Sequence, residues 1–191
     1  VTEPLPELLV RVRDCRACAA MLPLGPRPVL AASRTARLLI AGQAPGRRVH
    51  ETGIPWNDPS GDRLRTWLGV DRDTFYDASR IAILPMGFCY PGTGPSGDLP
   101  PRPECAPMWR QQLLDAMPDI ALTIACGRYA QRWHAPGGRS VTQTVRDWQA
   151  RPDVVPVPHP SPRNIAWFGR NPWFEAEVVP FLRARVAELL A

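Results

Sequence analysis

The stretch RLLIAGQAPGRRVHETGIPW, from Arg37 to Trp56, decides how the rest of the chain is read. Arg37 to Ala41 is a short apolar run of the kind that forms a buried strand. It stops at Gly42-Gln43-Ala44-Pro45-Gly46, where two glycines around a proline cannot continue a strand and leave backbone N–H groups free to face a ligand. A strand ending in such a loop puts polar backbone at the carboxyl edge of a sheet, where open α/β folds bind ligands. An ordinary strand-to-loop turn would look the same if the loop stood alone. It does not stand alone: His159-Pro160-Ser161-Pro162-Arg163-Asn164 follows another apolar run, Val154 to Val157.

Working outward, Leu5 to Ala20 carries apolar residues at Leu5, Leu8, Leu9 and Val12, a helical stripe with Cys15 and Cys18 at its end. A Pro-rich connection leads to the central strand and its loop. A polar loop follows, then a short helix over Asp62 to Val70 with Leu64, Trp67 and Leu68 on one face. Ile81 to Leu84 reads as a second buried strand stopped by Pro85, and Tyr90 to Pro103 is too rich in Gly and Pro for regular structure. A helix is expected over Pro107 to Met117 with Leu113, Leu114 and Met117 inward. A third strand runs from Ile120 to Ala125. A linker from Gly137 to Asp153 has room for a short helix near Thr142 to Trp148, and Val154 to Val157 is a fourth strand. Asn171-Pro172 signals a helix start, and the final helix carries Phe174, Val178, Phe181, Leu182, Val186 and Leu189, with a kink expected at Pro180. Four strands alternating with helices predict one domain over residues 1–191, with a parallel sheet covered on both faces.

Composition narrows the chemistry. A chain of 191 residues suits a single sizeable core. The net charge of +5 and pI near 9.3 favour a polyanionic partner. All 23 basic residues are arginine, so arginine clusters inform less than usual, and 24 prolines point to the same compositional bias. The missing lysine excludes a P-loop, a pyridoxal-phosphate site and Schiff-base lyase chemistry by a side-chain amine. The opening VTEPLPELLVRVRD lacks the layout of a signal peptide, and no apolar run is long enough for a membrane span, so a cytoplasmic protein without membrane contact is expected. In that compartment five cysteines read as thiols or ligands rather than disulfides. Cys15-x2-Cys18 has metal-ligand spacing, and Cys89 with Cys105 could complete a four-thiolate set suited to an iron–sulfur cluster or tetrahedral zinc. Unrelated buried thiols are the plain alternative. Cys126 falls outside the set, as a core residue beside its strand end.

The ordered pair GQAPG and HPSPRN resembles the two signature motifs of the uracil-DNA glycosylase superfamily, and the resemblance runs from Cys15 to the C-terminal helix. The four cysteines make the family-4, iron–sulfur branch the nearest match. The resemblance implies a three-layer α/β/α sandwich with a central four-stranded parallel sheet, and a [4Fe-4S] cluster on Cys15, Cys18, Cys89 and Cys105. It implies a monomer acting on uracil-containing DNA in base excision repair. On this reading His159 hydrogen-bonds the uracil O2 as negative charge builds there. Trp56 stacks on the flipped base, in a pocket with Gly42, Ala44, Gly46 and Pro85. Arg163 and Asn164, after Ser161, stand where the family inserts a wedge into the duplex. Arg47, with Arg48 and His50, is placed to meet phosphates.

Two departures qualify the match. The branch carries Glu where Gln43 stands, and an amide can orient water but cannot act as a base. The family reads the uracil edge with an Asn near the end of the second strand, where this chain has Pro85, so backbone is left to read the base. Asp58 and Glu51 are the nearest replacement acids, and Asp58 is preferred because it follows Trp56 closely. The expected activity is therefore monofunctional hydrolysis of the uracil glycosidic bond. A damage-binding protein with little excision, a glycosylase for another deaminated base such as hypoxanthine, and an unrelated nucleotide hydrolase are the rivals.

Overall fold

The computed structural model describes residues 3–95, 97–138 and 140–191. Its centre is a parallel four-stranded sheet of order β2-β1-β5-β6: β1 is Leu38–Ala41, β2 Ile81–Ile83, β5 Leu122–Cys126 and β6 Val154–Val157. Every residue of these strands is buried, as a parallel sheet covered on both faces requires. The two-residue period sorts them. Leu38 and Ile40 pack with Ile81, Ile83, Leu122 and Ile124 on one face, while Leu39 packs with Ala82 and Leu84 on the other.

Two helices cover the first face. They are α3, Pro59–Leu68, through Leu64, Trp67 and Leu68, and α9, Val179–Leu190, through Val179, Leu182, Val186 and Leu189. The opposite face is covered by α1, Leu5–Arg13, and α5, Cys105–Asp115, through Leu5, Leu8, Leu9, Val12, Trp109 and Leu113. The result is the expected α/β/α sandwich. Short helices fill the connections: α2, Arg47–Thr52; α4, Arg72–Tyr76; α6, Gly127–His134; α7, Val141–Arg146; and α8, Ile165–Arg170.

Several boundaries differ from the sequence expectation. Helix α1 stops at Arg13, because the apolar stripe ends at Val12. Cys15 and Cys18 therefore lie beyond the helix, in a turn leading to a 3-10 segment at Ala19–Met21. The polar loop after Gly46 is in part helix α2, which has one apolar residue in six and is bounded by Gly46 and by Gly53 at φ 72°. The Gly- and Pro-rich segment holds a small antiparallel hairpin, β3 (Thr93–Gly94) with β4 (Gly97–Asp98), made possible by positive φ at Gly92 and Gly97. The last helix begins as a π-turn over Phe174–Val178 and becomes α-helical at Val179. Pro180 follows on this π-turn in a helix that is continuous through it, so the proline with no N–H to give the preceding turn sits beside the one irregular turn of the last helix. Phe181 is exposed instead of buried and stacks near Trp148, with ring centroids 4.4 Å apart.

The strand order places the site. From β1 the chain crosses to β2 on one side and then returns to β5 on the other, so the loops after β1 and β5 part company. That reversal opens a crevice at the carboxyl ends of the strands.

Candidate active site

A cavity of about 540 Å³ occupies this crevice. Gly42, Gln43, Ala44 and Gly46 line it from the loop after β1, Pro85 from the loop after β2, and His159, Ser161, Arg163 and Asn164 from the loop after β6. Trp56 and Asp58 enter from the segment before α3. Arg47, Arg48 and His50, all on α2, are the expected contact residues that do not line the cavity, and Arg47 points away from it. Its side chain is exposed, ion-paired with Glu51 at 2.9 Å, and faces a neighbouring groove beside Tyr90 and Leu99.

The first motif loop is stitched down by its carbonyls. Met86 N–H donates to Gly42 O at 2.9 Å and Gly87 N–H to Gln43 O at 3.0 Å, while Ala44 and Gly46 N–H find no acceptor among the described residues. Gly42 lies beneath the Trp56 indole, and a Cβ there would stand 2.8 Å from Cζ2, so only glycine fits. Trp56 itself is held at φ 54°, an unusual backbone setting for a bulky residue, with its ring 5.6 Å from that of His159 and tilted by 33°.

His159 follows β6, and Gly127 at φ 77° opens α6 just where the His159 Cβ approaches. Ser161 N–H donates to His159 Nδ1 at 3.2 Å. Nδ1 is then the acceptor, and in the neutral ring Nε2 carries the proton. Burial pushes the His159 pKa down, against an opposing pull from Asp58 and Asp98, so the imidazole is neutral at pH 7. A neutral imidazole with its N–H directed by such a bond is a hydrogen-bond donor for a developing anion. Asn164 braces the loop by donating to His159 O at 2.7 Å, and Ser161 Oγ accepts from Arg163 N–H at 3.2 Å. Arg63, stacked on Phe168, donates to Pro160 O and Ser161 O.

The remaining expected polar groups are more committed than the sequence implied. Gln43 Nε2 donates to Leu99 O at 3.0 Å, so its amide bridges to the hairpin. Asp58 Oδ1 accepts from Gly61 N–H at 2.9 Å and caps α3. His50, expected near phosphate, is buried on α2, and burial lowers its pKa. Pro85 O accepts from the fully buried Arg110, which also donates to Leu84 O and, at 2.9 Å, to His134 Nε2. Burial first, then the Arg110 charge, drive the His134 pKa down to about 3, which keeps it a neutral acceptor. Sequence reading missed Arg110 and His134, which hold the pocket wall, and Asp98, which reaches the cavity from β4. Only the GD turn chemistry at Gly97-Asp98 hinted at the last.

The family model of the Uracil DNA glycosylase superfamily matches residues 30–183. The chain belongs to that superfamily. Both motif loops of this glycosylase-superfamily chain, with Trp56 between them, fall within the matched span, as do Cys89 and Cys105; Cys15 and Cys18 precede it. The superfamily acts on DNA, which accords with the basic charge of this chain.

Away from this pocket's lining, Cys15, Cys18, Cys89 and Cys105 line one small, mostly apolar cavity with Phe88, Trp109 and Met108. Its free volume is about 30 Å³. Phe88 N–H points at Cys105 Sγ, 3.4 Å away, the type of N–H···S contact that steadies a thiolate. Burial raises the Cys18, Cys89 and Cys105 thiols, the last to about 12, with neighbouring cysteines adding to the rise, Cys15 at all three. Among the described residues, no group of three or more His, Cys, Asp or Glu side chains is gathered closely enough to hold a metal ion. The four thiols share one cavity and are of a donor type suited to a four-thiolate site, but they are not gathered as a bound metal would hold them. Cys126 is buried in the core, as expected. Among the described residues no helix is long and apolar enough to cross a membrane.

Proposed function

We propose that this protein is a monofunctional uracil-DNA glycosylase, one domain over residues 1–191, acting as a monomer on uracil-containing DNA in the cytoplasm. The observation that carries this reading is the neutral His159, its Nδ1 fixed by Ser161 N–H, opening on the same cavity as Trp56 and the GQAPG loop. A flipped base stacks on Trp56, and the Nε2–H of His159 donates to the uracil O2 as the glycosidic bond lengthens. The electron pair leaves with the base, and the sugar cation is captured by water. Asp58, with one oxygen spent on its cap, contributes negative charge toward that cation. Arg163 and the neighbouring Ile165, 65% exposed, are placed to fill the space the base vacates, and Ser161 and Asn164 hold their loop. Arg47 meets phosphate from the adjoining groove.

The test is a panel of single- and double-stranded oligonucleotides carrying uracil, hypoxanthine or xanthine, with release of free base followed in single turnovers. Uracil release by the wild type, cut about 10²–10³-fold in His159→Ala, is the expected result, the usual cost of one preorganised donor. A folded His159→Ala that keeps the wild-type rate would sink the pocket assignment. A second reading rests on Gln43 and Pro85, whose polar groups are engaged by Leu99 and Arg110 and so read the base poorly. Tight damage binding without release would favour that reading. Preference for hypoxanthine would favour a glycosylase for another deaminated base.

The family-4 assignment enters with the cofactor. We infer that Cys15, Cys18, Cys89 and Cys105 would hold a [4Fe-4S] cluster, whose contribution is a cross-link tying the turn after α1 to the loop after β2 and to the start of α5. Anaerobically purified protein should be brown and contain iron that Cys89→Ser and Cys105→Ser lose together with thermal stability. Zinc in place of iron would keep the site and change the metal; protein with neither would remove both.

A further inference from the structure

The hairpin β3–β4 is where the pocket and the rest of the sequence disagree most. Its residues read as featureless loop, yet the fold turns them inward so that Asp98 lines the cavity opposite His159. A Cβ on Gly46 would stand 3.2 Å from Asp98 Oδ2, which places that oxygen directly over the first motif loop. The other oxygen is fixed by a short relay, in which Thr93 Oγ1 donates to Asp98 Oδ1 at 3.1 Å and pairs with Tyr90 Oη at 2.6 Å. The next residue along, Leu99, offers its carbonyl to the Gln43 amide. Gln43 thus clamps the hairpin to the motif loop one residue from the carboxylate. Arg163 rests against Gly97 from the other side, its Nη1 standing where a Gly97 side chain would be.

We propose that Asp98 is the catalytic carboxylate that receives the proton of the attacking water, and that Gln43 is a positioning residue acting through it. The proposal rests on the glycosylase reading. The C1′–N1 bond breaks with its electron pair going to the base, whose anion is held by His159. A water oxygen then bonds to C1′, and its proton passes to Asp98. The products are an abasic deoxyribose and, after protonation of the departing anion, the free base. Nothing is oxidised or reduced.

Asp98 is better suited to this step than Asp58. Each carboxylate has one oxygen engaged, Asp58 by the Gly61 N–H that it caps and Asp98 by Thr93 Oγ1, but the second Asp98 oxygen stands over the first motif loop beside Gly46. The arrangement also explains why the motif tolerates an amide. Gln43 supplies the tether and leaves the acid to another strand.

The test uses the full-length protein on a uracil-containing single strand, in single turnovers across pH 4 to 9. Asp98→Asn should lower the rate about 10- to 100-fold, at or just below the lower end of the range for a positioned general base, and flatten the acid limb of the pH profile. Gln43→Ala should lose less. The double variant should be no slower than Asp98→Asn alone, because the tether has nothing left to position. Additive losses in the double variant would show that Gln43 acts on its own and overturn the coupling. Asp98→Asn at the wild-type rate, or a larger loss with a still-capped Asp58→Asn, would overturn the assignment of the acid. Those results leave base release by the wild type intact. A wild type that releases no base would remove the glycosylase reading and this proposal together.

Discussion

Glycine at position 42 shows how a single missing methyl group shapes the pocket. The Trp56 indole lies where a Gly42 side chain would be, and Trp56 has no freedom to retreat because Gly61 packs against its backbone. Gly42→Ala should therefore tip the indole toward His159 rather than unfold the chain. The expected outcome is a loss of damaged-base affinity of about tenfold or more, with a change in Trp fluorescence and a Tm within a few degrees of wild type. A variant with unchanged base binding would show that Trp56 is a wall and not a platform. Legibility at this scale was uneven. The placement of Gly42, Trp56 and His159 at the cavity could be read from the two motifs because each sits in a motif loop or just after one. Asp98, Arg110 and His134 could not, since each reaches the site through long-range packing. Nothing in a GD dipeptide or a helical Arg reveals which cavity the fold will bring it to.

Among the elements, the segment after β6 carries the clearest functional consequence. Arg163 extends from a 3-10 turn at Pro162–Asn164, and Ile165 starts α8 with its side chain in solvent. An apolar side chain left outside, next to a planar cation, suits entry into a base stack. Arg163→Ala should slow excision from duplex DNA several-fold more than from single strands, since only the duplex has a stack to refill. Equal losses on both substrates would assign Arg163 to phosphate contact instead. The four strands were legible because each is a compact apolar run, and Val154–Val157 was placed to the residue. Helices α2 and α8 were not read. Each is six residues long with little apolar periodicity, and it is capped and braced by neighbours rather than by its own pattern. The hairpin was hidden for a related reason: two-residue strands carry no alternation to read.

Across the whole molecule, all three histidines have pKa values held below the usual imidazole value of 6.5 by burial. An unfolded chain takes up protons on these rings as the pH falls through 6.5, whereas the folded chain resists, His134 down to about 3. Stability should thus be complete above pH 7 and decline below about 6.5, by at most about 1.4 kcal/mol per pH unit for each histidine. Asp71, Asp77 and Glu104, whose pKa values are depressed by hydrogen bonds, add to the loss at lower pH. Urea melts at pH 5 and pH 8 check this, and His134→Gln should narrow the difference. An equal midpoint at both values would mean the rings are not buried as described. The strand order β2-β1-β5-β6 also sets a timetable for the nascent chain. The first motif loop emerges early, but β1 gains its second neighbour only when β5 has been made, and His159 arrives after β6. Parallel pairings of this span form slowly. An incomplete chain leaving the ribosome can hold Trp56 and GQAPG yet has no pocket, so the proposed recognition of damage waits until the final third of the protein has docked.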